Sequence, residues 1–181
     1  MSWDERLFDL LDDLEGQAEA LYAAERDAEL VDRSRAEYAS VSLASRLMAS
    51  VGRQVRLEVT GSESVVGELR RVGVGWCLVA DPAGDWLLSQ DALASVEGAS
   101  ERALPEVAWT AVSRLGLGSA LRRLADEATR CTVLTRSGGR HEAALLRVGQ
   151  DFVEVDTCTD PPRRLLLALS AVAGVRSREP R

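Results

Sequence analysis

Side chains able to do acid–base or nucleophilic chemistry are few in this sequence and are not clustered. His141 is the only histidine and lies at a predicted turn or strand edge. The three cysteines, Cys77, Cys131 and Cys158, form no CxxC pair and are odd in number, which indicates neither a disulfide framework nor a zinc site. We interpret them as small core residues. We therefore expect no catalytic residue, no metal site and no cofactor, and a protein that is not an enzyme.

Two further stretches look like sites and have simpler explanations. GLGSAL (116–121) resembles a phosphate-binding turn, but it lacks a third glycine and follows a predicted helix rather than a strand. We interpret it as a helix stop and restart, with Ser119 as the N-cap. Asp12 and Asp13 lie on the polar face of an acidic helix, where solvated charge is the usual explanation. No small-molecule substrate is indicated.

Composition limits what the arginines can tell us. All 22 basic residues are Arg, and Lys, Ile and Asn are absent, which is typical of a very GC-rich genome. The abundance of Arg is therefore no argument for nucleic-acid binding by itself. The charge is also unevenly placed, because residues 1–31 carry a net charge of −8 and the remainder carries +1. An acidic N-terminal segment repels phosphate.

The N-terminal segment predicts a long amphipathic helix from Trp3 to about Tyr38, since apolar residues recur at three- and four-residue steps. Two alternatives remain open, a helix packed on its own domain and a coiled coil with a second copy or another partner. The chain start lacks the pattern of a secretory signal, and no stretch approaches the ~20 apolar residues of a membrane span. We expect a cytoplasmic protein without membrane contact. The candidate interface residues are Trp3, Leu7, Leu10, Leu14 and Leu21.

The most informative pattern is an internal repeat. RVGVGWCLVAD begins at Arg71 and RVGQDFVEVD begins at Arg147, 76 positions later. The same offset aligns QVRLEVT (54–60) with RCTVLTR (130–136), and the alternation of apolar residues in both predicts strands. Each copy has a short helix, LASRLMA or SALRRLA, followed by five such strands. The last apolar segment of the second copy is displaced by three residues.

Five short strands behind a short helix, within roughly 55 residues, favour a small and strongly bent barrel over a flat sheet with exposed edges. We therefore predict a mainly β protein with helices (α+β), containing two tandem five-stranded barrels. The predicted divisions are an acidic N-terminal helix (1–42), a first barrel (43–98), a connector helix (99–118), a second barrel (119–176) and a tail (177–181).

The copies resemble the Sm-like (LSm) family, whose members have an N-terminal helix and five curved strands. The first copy supplies VRLEV, a Gly-x-Leu at 67–69, Val72-Gly73 and LLSQDALASV. The second supplies VGQDFVEVD and LALSAVAGV, which are similar to short bacterial Sm-like domains. The resemblance covers residues 43–98 and 119–176, and other SH3-like barrels share much of the pattern. The whole chain also resembles actinobacterial proteins, which implies no activity.

The resemblance implies ring assembly and RNA binding, but the RNA-binding pattern is incomplete. The family's Asp-x-x-x-Asn region falls near 73–77 and 149–153, and the chain contains no Asn. Its Arg-Gly of the last loop is replaced by WLL (86–88) and RLL (164–166). RNA binding is therefore kept only as the alternative.

Five residues are candidates for binding. Trp76 and Phe152 occupy equivalent positions, where a ring either stacks on a base or anchors a partner, or instead closes one end of its own barrel. Arg70, Arg71 and Arg147 either contact phosphates or are solvated. We expect a non-enzymatic interaction or scaffold module whose partner is a protein, another copy included. The alternative is RNA or single-stranded nucleic-acid binding, which the acidic helix disfavours.

Overall fold

A computed structural model describes residues 3–127 and 130–177 of the chain. The chain divides into two compact units, residues 1–41 and 42–181. The second unit contains a ten-stranded antiparallel sheet and two short α-helices, so the predicted α+β class is confirmed. None of the described helices combines the length and the hydropathy that a membrane-spanning segment requires.

The first unit is one α-helix, α1 (Trp3–Ala39), as the sequence predicts. Its apolar side chains are exposed where they are described: Trp3 is 69%, Leu14 52% and Leu21 69% exposed. The side chains of Leu7 and Leu10 lie outside the described part of the structure. The packed helix and the coiled coil both stay predictions.

The sheet of the second unit has the order β5-β1-β2-β3-β4-β10-β6-β7-β8-β9, so the first five strands and the last five form two contiguous halves. Both halves use the same internal order, and the sheet ends at β5 and at β9, each of which has one neighbour. The strands are β1 (Gln54–Val59), β2 (Val65–Gly73), β3 (Trp76–Asp81), β4 (Gly84–Ser89), β5 (Leu93–Glu97), β6 (Arg130–Thr135), β7 (Arg140–Val148), β8 (Phe152–Thr157), β9 (Arg164–Ala168) and β10 (Val172–Ser177).

The repeat seen in the sequence is present in the strand registers. The pairing of β2 with β3 shifts between Leu69 and Arg71, and that of β7 with β8 shifts between Leu145 and Arg147, 76 residues later. Such a shift is a β-bulge, which bends a strand and increases its twist. The two halves thus repeat the same register shift, but they are joined in one open ten-stranded sheet, so the two five-stranded barrels stay a prediction.

Each half surrounds its own hydrophobic core. The first core contains Leu57, Leu69 and Val79, which alternate with exposed or half-buried neighbours along their strands. The second core contains their counterparts Val133, Leu145 and Val155. Period-two alternation is what places one face of each strand inside. Leu134 and Ala173 of the second half also enter the first core, so the two cores meet at the centre of the sheet.

The two short helices precede β1 and β6, as predicted. Helix α2 (Leu43–Met48) begins after Ser42, whose Oγ accepts a hydrogen bond from the backbone N–H of Ser45. Helix α3 (Leu117–Asp126) begins after Gly116, so the prediction of Ser119 as the N-cap is wrong and Ser119 lies inside the helix. The two helices thus start 74 residues apart, whereas the strands that follow them, β1 and β6, start 76 residues apart.

The predicted connector helix at 99–118 is wrong. The segment contains two 3₁₀ turns, Glu106–Ala108 and Val112–Arg114, separated by extended backbone. One local and one tertiary contact replace the helical pattern. The Trp109 indole N–H donates to the nearby Leu104 carbonyl at 2.9 Å, and the N–H of Val74, directly after the end of β2, donates to the Ser113 carbonyl at 3.1 Å. Pro105 also disfavours the helical conformation at the residue before it.

Candidate functional site

The two halves of the sheet are joined by an antiparallel pairing of β4 with β10, which we call the junction. Its register pairs Leu88 with Gly174, Leu87 with Val175 and Trp86 with Arg176. Gly174 is required by this close approach, because a Cβ at that position would lie 2.7 Å from Leu88 Cδ2 and 2.9 Å from the Leu87 carbonyl oxygen. The junction therefore fixes the two halves together through backbone contact.

Side chains at the junction alternate between the two cores. Leu88 enters the first core, while Leu87 enters the second, with 0% and 5% exposure. Trp76 on the adjacent strand β3 also packs in the second core and is 8% exposed. The outer face of β3 and β4 is thus covered by the second half of the chain.

A polar cluster closes one end of the junction. The Arg176 guanidinium lies 5.1 Å from the centre of the Trp86 ring, donates to the Ala83 carbonyl at 3.1 Å and lies 3.8 Å from a carboxylate oxygen of Asp81. The backbone N–H of Asp85 donates to Ser177 Oγ at 2.8 Å. A base on the β10 side therefore meets an acid on the β3–β4 side.

The outer edge β9 repeats β4, but within the described residues no strand pairs with its outer side. The register of each strand with its inner neighbour makes Leu166 the counterpart of Leu87, since Leu78 pairs with Leu87 and Glu154 pairs with Leu166. Leu166 is 66% exposed. Phe152, the counterpart of Trp76, is 36% exposed. Leu166 and Phe152 therefore lie on a face of the second half whose counterpart in the first half is covered at the junction.

The other outer edge, β5, borders an open groove of about 340 Å³. Leu43, Leu93 and Val96 line it, together with Arg46. Their counterparts in the second half, Leu117, Val172 and Val175, pack in the core that receives Trp76 and Leu87. The groove on the first half therefore corresponds to the surface of the second half that Trp76 and Leu87 cover at the junction.

Sequence reasoning did not single out these edge residues. The signal was available, because the repeat alignment equates Leu166 with Leu87 and β5 with β10. The sequence alone does not show that β4 pairs with β10 of the same chain rather than with a strand of another chain.

Three of the five predicted binding residues lie together. Arg70, Arg71 and Trp76 line a groove of about 310 Å³ that also includes Thr110 and Ser113. The Trp76 indole N–H donates to the Leu115 carbonyl at 2.7 Å, and Arg70 forms an ion pair with Glu68 at 3.2 Å. Arg71 is exposed and has no ion pair within the described ranges.

The remaining two predicted binding residues lie on the outer face of the second half. Arg147 pairs with Glu154 at 2.7 Å, and Glu154 also lies 3.5 Å from Arg164. The hydrogen bond that Arg164 donates to Asp156, followed by the charges of Asp156 and Glu154, raises the pKa of the Arg164 guanidinium. Phe152 and Glu154 are on the same face of β8, because they are two residues apart. That face is therefore apolar at Phe152 and Leu166. It is charged where the Glu154 carboxylate lies between Arg147 and Arg164.

Groups for covalent chemistry are not assembled in the described part of the chain. Burial raises the pKa of the Cys77 thiol to about 12, and burial followed by the charge of nearby Cys158 raises that of Cys131 to about 11. Both thiols are neutral near pH 7 and are weak nucleophiles. Within residues 3–127 and 130–177, no three His, Cys, Asp or Glu side chains are grouped so as to hold a metal ion.

Comparison with known proteins adds no family assignment: no protein-family model matches the sequence, and no curated protein is significantly similar to it.

Proposed function

We propose that this protein is a non-enzymatic interaction module built from two Sm-like five-stranded barrels, whose free strand edges bind a protein partner. The barrel interpretation is supported by the identical strand order of the two halves, by the matched bulges in β2 and β7, and by two hydrophobic cores, one centred on each half. Bulges of this kind supply the curvature that a small barrel needs.

A single observation carries the proposal: Leu166 is 66% exposed on the free edge β9, while its counterpart Leu87 is 5% exposed inside the junction. An edge strand presents unpaired backbone donors and acceptors, and natural proteins commonly protect such edges with charges or covering segments. A leucine at the centre of β9 is poor protection. It is the side chain expected of an edge that receives another strand.

The partner that best fits both free edges is a second copy of the chain. One molecule carries β9 with its exposed leucine and β5 with its open groove, which are the counterparts of the two strands already paired at the junction. Pairing β9 of one copy with β5 of the next repeats that contact between molecules. Such a head-to-tail contact uses two different surfaces, so it closes into a ring or extends as a filament.

Analytical ultracentrifugation of the full chain over a concentration series tests this proposal. We expect the wild type to associate, and Leu166→Glu to raise the dissociation constant by about tenfold or more, because truncating or charging a central apolar contact has a large effect. Val107→Glu is the matched control, since Val107 is 84% exposed and lies on the connector rather than on an edge. A wild type that stays monomeric at all concentrations contradicts self-association.

RNA or single-stranded nucleic-acid binding is the second candidate, and the groove that gathers Arg70, Arg71 and two hydroxyl groups favours it. Binding there depends on salt, because phosphate contacts release counterions. We expect Arg71→Gln to lower the slope of log affinity against log salt concentration by about 0.7 for single strands. Filter binding with labelled RNA measures this slope, and absence of retention at low salt eliminates the candidate.

A further inference from the structure

Charges at the strand edges differ between the two halves. At the junction, the base Arg176 lies on β10, and the acids Asp81 and Asp85 lie on the strands that it approaches. Counterpart positions on the outer edges carry the opposite signs. Glu97 on β5 stands where β10 has Arg176, because Glu97 pairs with Arg56 of β1 and Arg176 with the corresponding Thr132 of β6.

The edge β9 has the complementary reversal. Arg164 of β9 pairs with Asp156 of β8, and Asp85 of β4 pairs with the corresponding Ala80 of β3. The base Arg164 therefore stands where the first half has the acid Asp85. Arg163 precedes it, at the position of Gly84. The outer edges thus form an acidic β5 and a basic β9.

Of the two arginines, Arg163 is the one free to meet a new partner. Arg164 lies 3.1 Å from Asp156 and 3.5 Å from Glu154. Arg163 is exposed, and its side chain forms no ion pair with the residues that the structure describes. Glu97 has only a solvent-exposed partner, Arg56, at 3.5 Å.

Transferring the junction register to the outer edges places Glu97 opposite Leu165, as Arg176 is opposite Trp86. Arg163 is two residues from Leu165 and therefore extends toward the same face, diagonally opposite Glu97. We propose that the pair formed by Glu97 of one copy and Arg163 of the next selects the β5–β9 contact. This inference rests on the proposed self-association.

The same charges act against incorrect pairing. A β5 edge placed on β4 brings Glu97 toward Asp81, and a β10 edge placed on β9 brings Arg176 toward Arg163. Both arrangements set like charges together, which disfavours them. The signs therefore keep the internal junction and the outer contact distinct, although the repeats that form them have a common pattern.

Charge reversal tests this inference by analytical ultracentrifugation of the full chain at low salt. We expect Glu97→Arg and Arg163→Glu each to weaken association about fivefold, because an attractive pair becomes a repulsive one. An equimolar mixture of the two variants and the double variant E97R/R163E both regain association, since each restores a pair of opposite charges. Glu106→Arg on the connector is the control for charge reversal and leaves association unchanged.

The outcomes separate the two proposals. If the wild type associates but neither single reversal weakens association, or the double variant does not recover, the charge inference is overturned and the edge contact stands. If the wild type remains monomeric, the proposed self-association falls, and this inference falls with it. Recovery in the mixed sample supports both, because unfolding of either variant cannot produce it.

Discussion

The indole N–H of Trp76 donates to the backbone carbonyl of Leu115 at 2.7 Å, joining β3 to the connector that leads into the second half. The same ring is 8% exposed within the second core. Trp76 therefore links three parts of the structure, the first half, the connector and the second half. Its repeat counterpart Phe152 has no polar atom in its side chain and is 36% exposed.

This asymmetry predicts unequal effects of truncation. We expect Trp76→Ala to lower the free energy of unfolding by about 3–5 kcal/mol, the usual range for removing a large aromatic from a core. Trp76→Phe removes the hydrogen bond and part of the ring, leaving the Leu115 carbonyl without this donor, and costs about 1–2 kcal/mol. Phe152→Ala, the matched control, costs about 1 kcal/mol or less since the ring is partly exposed. Urea denaturation followed by circular dichroism measures all three, and equal losses at the two positions contradict the prediction.

The junction predicts a second asymmetry, between Gly174 and its counterpart Ser95. A side chain at Gly174 collides with Leu88 and with the Leu87 carbonyl, whereas Ser95 is exposed on the free edge β5. We expect Gly174→Val to destabilise the protein by about 2–3 kcal/mol, as overpacking does. Ser95→Val stays within about 0.5 kcal/mol, typical of surface substitutions. Thermal unfolding of both variants at low protein concentration measures the difference, and a tolerated Gly174→Val contradicts the close approach of the two halves.

Much of this fold follows from the sequence, for a physical reason. Alternation with period two and the repeated Arg-Val-Gly phrase locate the strands, because both reflect which face of each strand is buried. The connector at 99–118 was mispredicted because its conformation depends on contacts distant in sequence, such as that of Val74 with Ser113. The exposure of an edge residue cannot be predicted from its residue type either, because the buried Leu87 and the exposed Leu166 are both leucines.

The candidate site shows the same division. The repeat correctly equates Trp76 with Phe152, but only the pairing of β4 with β10 explains why one ring is covered and the other is partly exposed. The arginine positions Arg70 and Arg71 were identified from sequence, while the hydroxyl groups of Thr110 and Ser113 beside them were not. They come from the mispredicted connector.

Glu154 predicts a stability effect confined to the second half. Its carboxylate is buried, with 10% of the side chain exposed, and it contacts both Arg147 and Arg164. Its counterpart in the first half, Leu78, pairs with Leu87 and packs against the second core. We expect Glu154→Gln to cost about 1 kcal/mol, near the low end for charged hydrogen bonds because both arginines are largely exposed. Urea denaturation measures the loss, and Glu63→Gln in the turn between β1 and β2 serves as the control. An unchanged urea midpoint for Glu154→Gln contradicts the prediction, because it shows that water replaces the carboxylate as the partner of both arginines.

The thiols predict a reactivity pattern and a dependence on pH. Cys158 is exposed, while Cys77 and Cys131 are buried with raised pKa values of about 12 and 11. Iodoacetamide at pH 8 should therefore modify one thiol of the native protein and three thiols in urea, as counted by mass spectrometry.

The folded protein holds the protons of Cys77 and Cys131 more tightly than the unfolded chain, in which the ordinary pKa is 9.0. Their contribution to stability is thus complete below pH 9 and is lost progressively as the pH rises from there toward the folded values. A Cys77→Ala, Cys131→Ala double variant loses this part of the alkaline dependence, although its stability at pH 7 is lower. Alkylation of Cys77 at the rate of Cys158, or an unchanged alkaline profile in the double variant, contradicts the buried placement of these thiols.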